Sequence, residues 1–320
     1  MNASTQKIIT LAIGCVAALG CLKVDEPLSE IHEKLPRRIG ALHLPNAIRI
    51  HERIVAGGQP DGEAGFEELQ SLAVKTIISV DGAKPNLDLA AKFRMRYVHL
   101  PHGYNGISDE RTAQLAKVVR DFEGPIYIHC HHGKHRSPTA AAVACVANGM
   151  MEAHATTPLL KFAGTSESYL GLYQSAANAR RLDNQLLDSL DANFPGVVEL
   201  PPFAEAMVQL EHTFDYLKRL ASVEWKSLDG HPDLDPAHEA LLLSEHFSEL
   251  LRLDSVANEP TDFRKMLEQS ETDARLLETL LRDRITNTII RSTEINKAFQ
   301  RLSTNCAACH KLYRDVPLGR

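Results

Sequence analysis

The chain has 320 residues, 44% hydrophobic and 24% charged, with a net charge of −6. That length allows about two domains, and the apolar content excludes wholesale disorder. The acidic balance argues against nucleic acid, which selects a strongly basic face. The one long uncharged stretch, Ile8 to Leu22, is shorter than the roughly 20 apolar residues of a spanning helix, which excludes a multi-span membrane protein.

The N-terminus reads as an export signal: Lys7 precedes a run of small and apolar residues, Ile8 to Gly20. Ala18-Leu19-Gly20-Cys21 resembles the lipobox of bacterial lipoproteins, which implies a lipid on Cys21 as the sole membrane contact. A plain cleaved signal or an uncleaved anchor is the alternative, and Cys15 is a poorer lipobox because it cuts the apolar run short. The expectation is an exported, periplasmic protein with a signal over residues 1–21. Residues 22–45, with mixed charge and prolines, form a tether.

From 46 to 190 strand and helix patterns alternate. Ala47-Ile48-Arg49-Ile50 and Arg53-Ile54-Val55-Ala56 suggest a short edge strand or hairpin. Phe66, Leu69 and Leu72 fall at helical spacing, and Thr76 to Val80 is a buried strand ending at Asp81-Gly82. Leu87 to Phe93 is helical and Tyr97 to Leu100 is strand. Ser108-Asp109-Glu110 caps a helix to Phe122, and Ile126 to Ile128 is strand again. Such alternation predicts an α/β domain with a mostly parallel sheet flanked by helices.

The last strand runs into His129-Cys130-His131-His132-Gly133-Lys134-His135-Arg136-Ser137-Pro138-Thr139, with a helix starting near Arg136. A tight loop between strand and helix turns successive N–H groups inward, and the helix N-terminus adds its positive end. The result is an anion cradle. Cys130 at its base is placed to be held as a thiolate, Arg136 to grip two phosphoryl oxygens, and Ser137 to ease departure of the sulfur. Thiolate attack on phosphorus followed by hydrolysis of a cysteinyl phosphate suits this arrangement.

The His-Cys, five residues, Arg-Ser spacing resembles the protein tyrosine phosphatase superfamily, in particular its dual-specificity branch. The resemblance implies that Cys130 is the nucleophile and Arg136 the clamp. Residues His131, His132, Gly133, Lys134, His135 and Arg136 then supply the phosphate-binding amides. A rhodanese-like loop lacks this Cys-to-Arg spacing. The family also places an acidic residue some tens of residues before the Cys. The segment Pro101 to Asp109 offers Asp109 first and His102 second, with Asp81 at a strand end third. His129, His131, His132 and His135 also admit a metal reading. Side chains splayed out of a tight loop favour instead a proton-dependent positive rim.

After Asn193-Phe194-Pro195-Gly196 and Pro201-Pro202, a linker over 191–200, the pattern over 201–320 is helical. One stripe is Phe203, Met207, Leu210, Phe214 and Leu217; a second is Ala240, Leu243, Phe247 and Leu250, after the Asp235-Pro236 start signal. A third runs Phe263 to Leu281 and a fourth Ile295 to Tyr313. Four amphipathic helices predict an all-α four-helix bundle.

The fourth stripe carries Cys306-Ala307-Ala308-Cys309-His310, the haem-attachment pattern. Two cysteines one helical turn apart suit thioether bonds to one haem, and His310 follows as an axial ligand to its iron. The chain lacks a second Cys pair to complete a zinc site. Near the end of such a bundle the motif resembles cytochrome c′ and c-556. That resemblance implies covalent haem c, His310 as proximal ligand and Arg314 near the proximal face. Met207 is core or distal ligand, core being the simpler reading. Cys145 lies about nine residues, roughly 13 Å, along the helix after the loop, too far to pair with Cys130, so it is a core residue.

The expected protein is thus an exported Cys-dependent phosphatase acting on phosphomonoesters, phosphotyrosine or small phosphorylated molecules, fused to a haem domain that senses a diatomic gas or meets a redox partner. The alternative is an electron-transfer or gas-binding cytochrome whose phosphatase-like part only binds anions or a partner.

Overall fold

The computed structural model describes residues 35–226, 228, 234–286 and 292–319. The proposed signal, with Cys15 and Cys21, lies outside them. Among the described residues no helix is long and apolar enough to cross a membrane.

The α/β part is a six-stranded sheet: β1 (Arg37–Arg38), β2 (Ile48–His51), β3 (Ile54–Gly58), β4 (Thr76–Ser79), β5 (Arg96–His99) and β6 (Ile126–Cys130), in the order β1-β2-β3-β6-β4-β5. The β2–β3 hairpin is antiparallel, and β3, β6, β4 and β5 run parallel. Arg37–Arg38, in the segment read as tether, pairs with β2, and Leu44 is buried, so the sheet layer starts before residue 46. β3 is interior and lies beside β6, so the hairpin stands and its second strand is not an edge.

Side chains alternate across the sheet. Ile54, Ala56, Ile78, Val98, Ile126 and Ile128 face one core, and Val55, Ile77, Tyr97 and Tyr127 face the other. Both faces are covered, which is why these strands read as unbroken apolar runs. Helices α1 (Gly62–Ser71) and α2 (Leu87–Lys92) close the second face with Phe66, Leu69 and Ala90. Helices α3 (Asp109–Asp121), α4 (Arg136–Ala147), α5 (Thr156–Ala163) and α6 (Leu170–Ala177) close the first, and α7 (Asn184–Ser189) packs on α3. Every residue of α4 is buried. Its Ala140, Ala141, Ala142, Ala144 and Ala147 let α3, α5 and α6 approach closely around it.

The rest is helical: α8 (Pro202–Ser222), α9 (Pro236–Arg252), the short α10 (Asp254–Ala257), α11 (Thr261–Thr286) and α12 (Ser292–Cys309), ending in a wide π turn over His310–Arg314. Asp235 caps α9 through the His238 N–H, with Pro236 at the first helical position. The apolar stripes meet in one core that includes Leu210, Leu217, Ala240, Leu243, Phe247, Leu250, Ala274, Leu277, Ile295 and Leu302. Fully burying each Leu stabilises by about 1.5–3 kcal/mol, so these stripes hold the four long helices together.

Candidate active site

β6 delivers Cys130 to the C-terminal edge of the parallel strands, and the loop 131–135 turns from it into α4. The surrounding chain pins the loop's carbonyls outward. The Gln59 N–H donates to His131 O (3.1 Å), Asn46 Nδ2 to His132 O (2.8 Å), Thr165 Oγ1 to Lys134 O (2.6 Å) and Thr139 Oγ1 to His135 O (2.8 Å). With the carbonyls turned out, the amides of the same peptides turn in. The N–H groups of those four peptides, on His132, Gly133, His135 and Arg136, have no acceptor among the described residues. Gly133 has φ +74°, and a Cβ there would collide with backbone of Gly57 and Gly58, so the turn requires glycine.

Cys130 is 2% exposed, with Sγ 3.4 Å from Ser137 Oγ, whose hydroxyl donates to Gly57 O at 2.8 Å. Arg136, at the start of α4, donates from Nη2 to Asp81 Oδ2 at 2.9 Å. Its Nε is buried without a partner. A buried guanidinium donor costs free energy when unpaired, so this one is held ready for an acceptor in the cradle. Asp81 also accepts from the His131 and Ala83 N–H groups. Burial alone would raise its pKa, but Arg136 and the Ala83 N–H, with His129 and His131, override that and bring it down to about 2. Asp81 is therefore an ionised brace on Arg136. His99 in turn holds the Asp81 backbone: its Nδ1 accepts from the Val198 N–H (3.1 Å), leaving Nε2–H to donate to Asp81 O (2.7 Å).

The mouth is aromatic. Tyr104 and Tyr169 have ring centroids 4.5 Å apart, and His135 lies 4.9 Å from Tyr169. Burial raises the Tyr104 pKa to about 12, so it stays a neutral phenol. The Arg136 guanidinium lies 4.8 Å from the Tyr104 ring and that of Arg314 4.3 Å from it. Helix α8 closes the other side. His131 Nε2–H donates to Asp215 Oδ2 at 2.8 Å, and His212 lies beside the His131 ring. Glu211, one turn before Asp215 on the same face, acts electrostatically on Tyr104, His131, His132 and Arg136.

The structure brings together Cys130, Arg136, Ser137 and the loop amides. It separates Asp109: that carboxylate is exposed in the first turn of α3 and lines a different pocket with Asn105, Gln174 and Ser175. His102 does not take its place either. Burial lowers its pKa to about 4, so near neutrality it has no extra proton to give. The positive histidine rim also fails. Burial lowers the pKa of His132, and that of His135 to about 4, while only His131 is raised, by its bond to Asp215. Cys145 is a buried free thiol, as expected of a core residue.

At the other end, Cys306 and Cys309 are unpaired thiols whose pKa values burial raises, that of Cys306 to about 11. Cys306 packs against the bundle core, and Cys309 is part of it. Burial lowers the His310 pKa to about 4, which keeps the imidazole neutral, the form a metal ligand requires. Two neutral thiols beside an apolar core and a neutral imidazole next in sequence fit a covalent haem.

Neither a protein-family model nor a curated protein matches the chain. Solved structures do. TpbA of P. aeruginosa aligns at 20% identity over 45% of this chain and 88% of its own, with a TM-score of 0.38. The catalytic domain of the PP-IP phosphatase SIW14 of S. cerevisiae, in complex with citrate, aligns at 18% identity over 46% of this chain and 87% of its own, with a TM-score of 0.34.

Sequence reasoning missed Tyr104, Tyr169, Glu211 and Asp215, and did not place Arg314 at this mouth. None carries a local signal: each reaches the loop from a distant segment. Asp215 and His131 are 84 positions apart.

Proposed function

We propose that this chain is a phosphatase that hydrolyses phosphomonoesters through Cys130. The Cys130 thiolate attacks phosphorus, and the ester P–O bond breaks as the Cys–S–P bond forms. Arg136 and the inward amides hold the equatorial oxygens. Water then attacks phosphorus and the thiolate leaves, assisted by the Ser137 hydroxyl, which turns from Gly57 O to donate to the sulfur. Glu211 is the carboxylate we assign to serve the leaving oxygen, acting in its protonated form as carboxylic general acids do. Among the carboxylates around the loop, Asp81 is tied to Arg136 and Asp215 to His131, and Glu211 alone has no hydrogen-bonded partner among the described residues. The observation that carries the reading is the buried, unpartnered Arg136 Nε beside four inward amides over Cys130. The aromatic mouth suits phosphotyrosine or another small phosphorylated molecule with a flat leaving group, and dual specificity toward phosphoserine is the finer expectation. Turnover of an aryl phosphate by the full chain tests it. Phosphate binding without turnover would favour the rival, a cytochrome with an anion-binding module.

The C-terminal pattern would hold haem c, with Cys306 and Cys309 forming the thioethers and His310 supplying an imidazole to the iron. When bound, that group supplies an iron that changes redox state or takes a diatomic ligand. Cys306 and Cys309 anchor it to α12, and His310 starts the π turn that ends at Arg314. Because c-type haem is attached outside the cytoplasm, this agrees with export and with a lipid at Cys21 as the only membrane contact. Protein made with a cytochrome c maturation system should be red, and its colour should survive acid–acetone extraction. It should lose the colour when Cys306 and Cys309 are both changed to Ala.

A further inference from the structure

The side chains of His131 and His132 lie together beside Asp215 of α8. The two ring centroids are 4.4 Å apart. His131 Nε2–H reaches Asp215 Oδ2 at 2.8 Å, while the His132 ring, exposed beside it, has no hydrogen bond among the described residues. One ligating atom from each of His131, His132 and Asp215 lies within 4.8 Å of the other two. Atoms bound to one tetrahedral zinc at about 2.1 Å are about 3.4 Å from each other. The widest pair therefore has to close by little more than an ångström, within the reach of the exposed His132 side chain.

We propose that His131, His132 and Asp215 bind a divalent transition ion, zinc being the best match, and that the ion clips helix α8 to the loop. The donor chemistry selects the ion. Two imidazole nitrogens and one carboxylate suit zinc or a similar borderline metal. Calcium and magnesium take oxygen sets and are disfavoured. A hydrogen bond between helix and loop needs a single imidazole, and the second one beside it is what turns the pair into a ligand set. Three protein ligands leave a fourth position open, and His212, with its ring centroid 5.9 Å from that of His131, stands beside it. The ion replaces the proton between His131 and Asp215. It competes for Asp215 with Lys218, whose Nζ is 2.6 Å from Oδ1, but the oxygen facing His131 is the other one.

Bound there, the ion fixes the helix that carries Glu211 against the loop and adds positive charge at the rim of the cradle. The inference goes beyond the phosphatase reading, since metal binding requires neither Cys130 nor turnover.

The test is calorimetric titration of the chelator-treated full-length protein with zinc chloride. We expect one equivalent that weakens at least about tenfold in both His132→Ala and Asp215→Asn and persists in Cys130→Ser. Isotherms of either histidine or aspartate variant that match the wild type overturn the assignment. So does loss of the equivalent in Cys130→Ser, which would make the thiol the ligand. Circular dichroism checks that each variant folds. Should Asp215→Asn not fold, His132→Ala and His131→Gln decide by the same criterion, both being changes on a partly solvent-facing loop.

Discussion

The Arg314 guanidinium lies 4.3 Å from the Tyr104 ring, so the turn that begins at His310 ends against the mouth over Cys130. Arg314 also lies 6.0 Å from the Tyr169 ring. A cation over an aromatic face contributes about 0.5–2 kcal/mol. Were haem held at Cys306 and Cys309, a shift of the π turn with the state of its iron would have a physical route to the aromatic wall. We predict that carbon monoxide added to the ferrous holo-protein under anaerobic conditions changes kcat/KM for an aryl phosphate. A tenfold change needs only about 1.4 kcal/mol of coupling. Arg314→Ala should remove that response. Identical kcat/KM with and without the gas in the wild type would show that the two parts are merely tethered.

Asp81 is braced on Arg136 inside the fold, both less than 10% exposed. Asp81→Asn leaves the buried guanidinium without its counter-charge, a change that costs about 3 kcal/mol. We expect a lower midpoint in urea and a fall in kcat/KM of at least about tenfold, because the clamp loses its orientation. Arg136→Lys should be as damaging, since an ammonium lacks the planar fork. Wild-type turnover in Asp81→Asn would remove the bracing role.

The loop was legible because its chemistry is contiguous: strand, His-Cys, tight turn, Arg-Ser, helix, all within eleven residues. The strand and helix order was legible from unbroken apolar runs such as Thr76 to Val80. The interior place of β3 was not, because apolar pattern reports burial and not which strand lies alongside. Helices α5, α6 and α7 are only 8, 8 and 6 residues long, too short for a helical repeat to establish itself. Asp109 misled because a carboxylate just before a helix serves equally well in its first turn, and Ser108 is the true cap, accepting the Arg111 N–H. Glu211 and Asp215 sat in view on the polar face of an amphipathic helix, where charge ordinarily means solvent.

Acid should unfold the protein in two windows. His102 and His129 are held neutral by burial, with pKa values brought from 6.5 to about 4. Their depressed values make stability complete above the unfolded value and lost as pH falls from about 6.5 toward 4. Asp81, brought from 3.8 to about 2, contributes above about pH 4 and loses that contribution as pH falls toward 2. Tm measured across this range should fall in the upper window first, and less steeply there in His129→Asn. A flat Tm from pH 7 to 4 would contradict the histidine assignment.

Gly133→Ala places a Cβ where Gly57 and Gly58 backbone already stands, at a φ that L residues avoid. Backbone strain of this kind costs about 1–3 kcal/mol, and the loop would open to relieve it. Turnover should fall more than about 100-fold while the far-ultraviolet spectrum stays folded. Retained turnover would mean that the inward amides are not the anion site.

Rapid acid quench of the full-length protein with an aryl phosphate, followed by peptide mass spectrometry, tests the central claim most directly. The account predicts a phosphoryl adduct on the peptide carrying Cys130, formed within one turnover and absent, together with turnover, in a folded Cys130→Ser protein. Hydrolysis that persists in Cys130→Ser would contradict it.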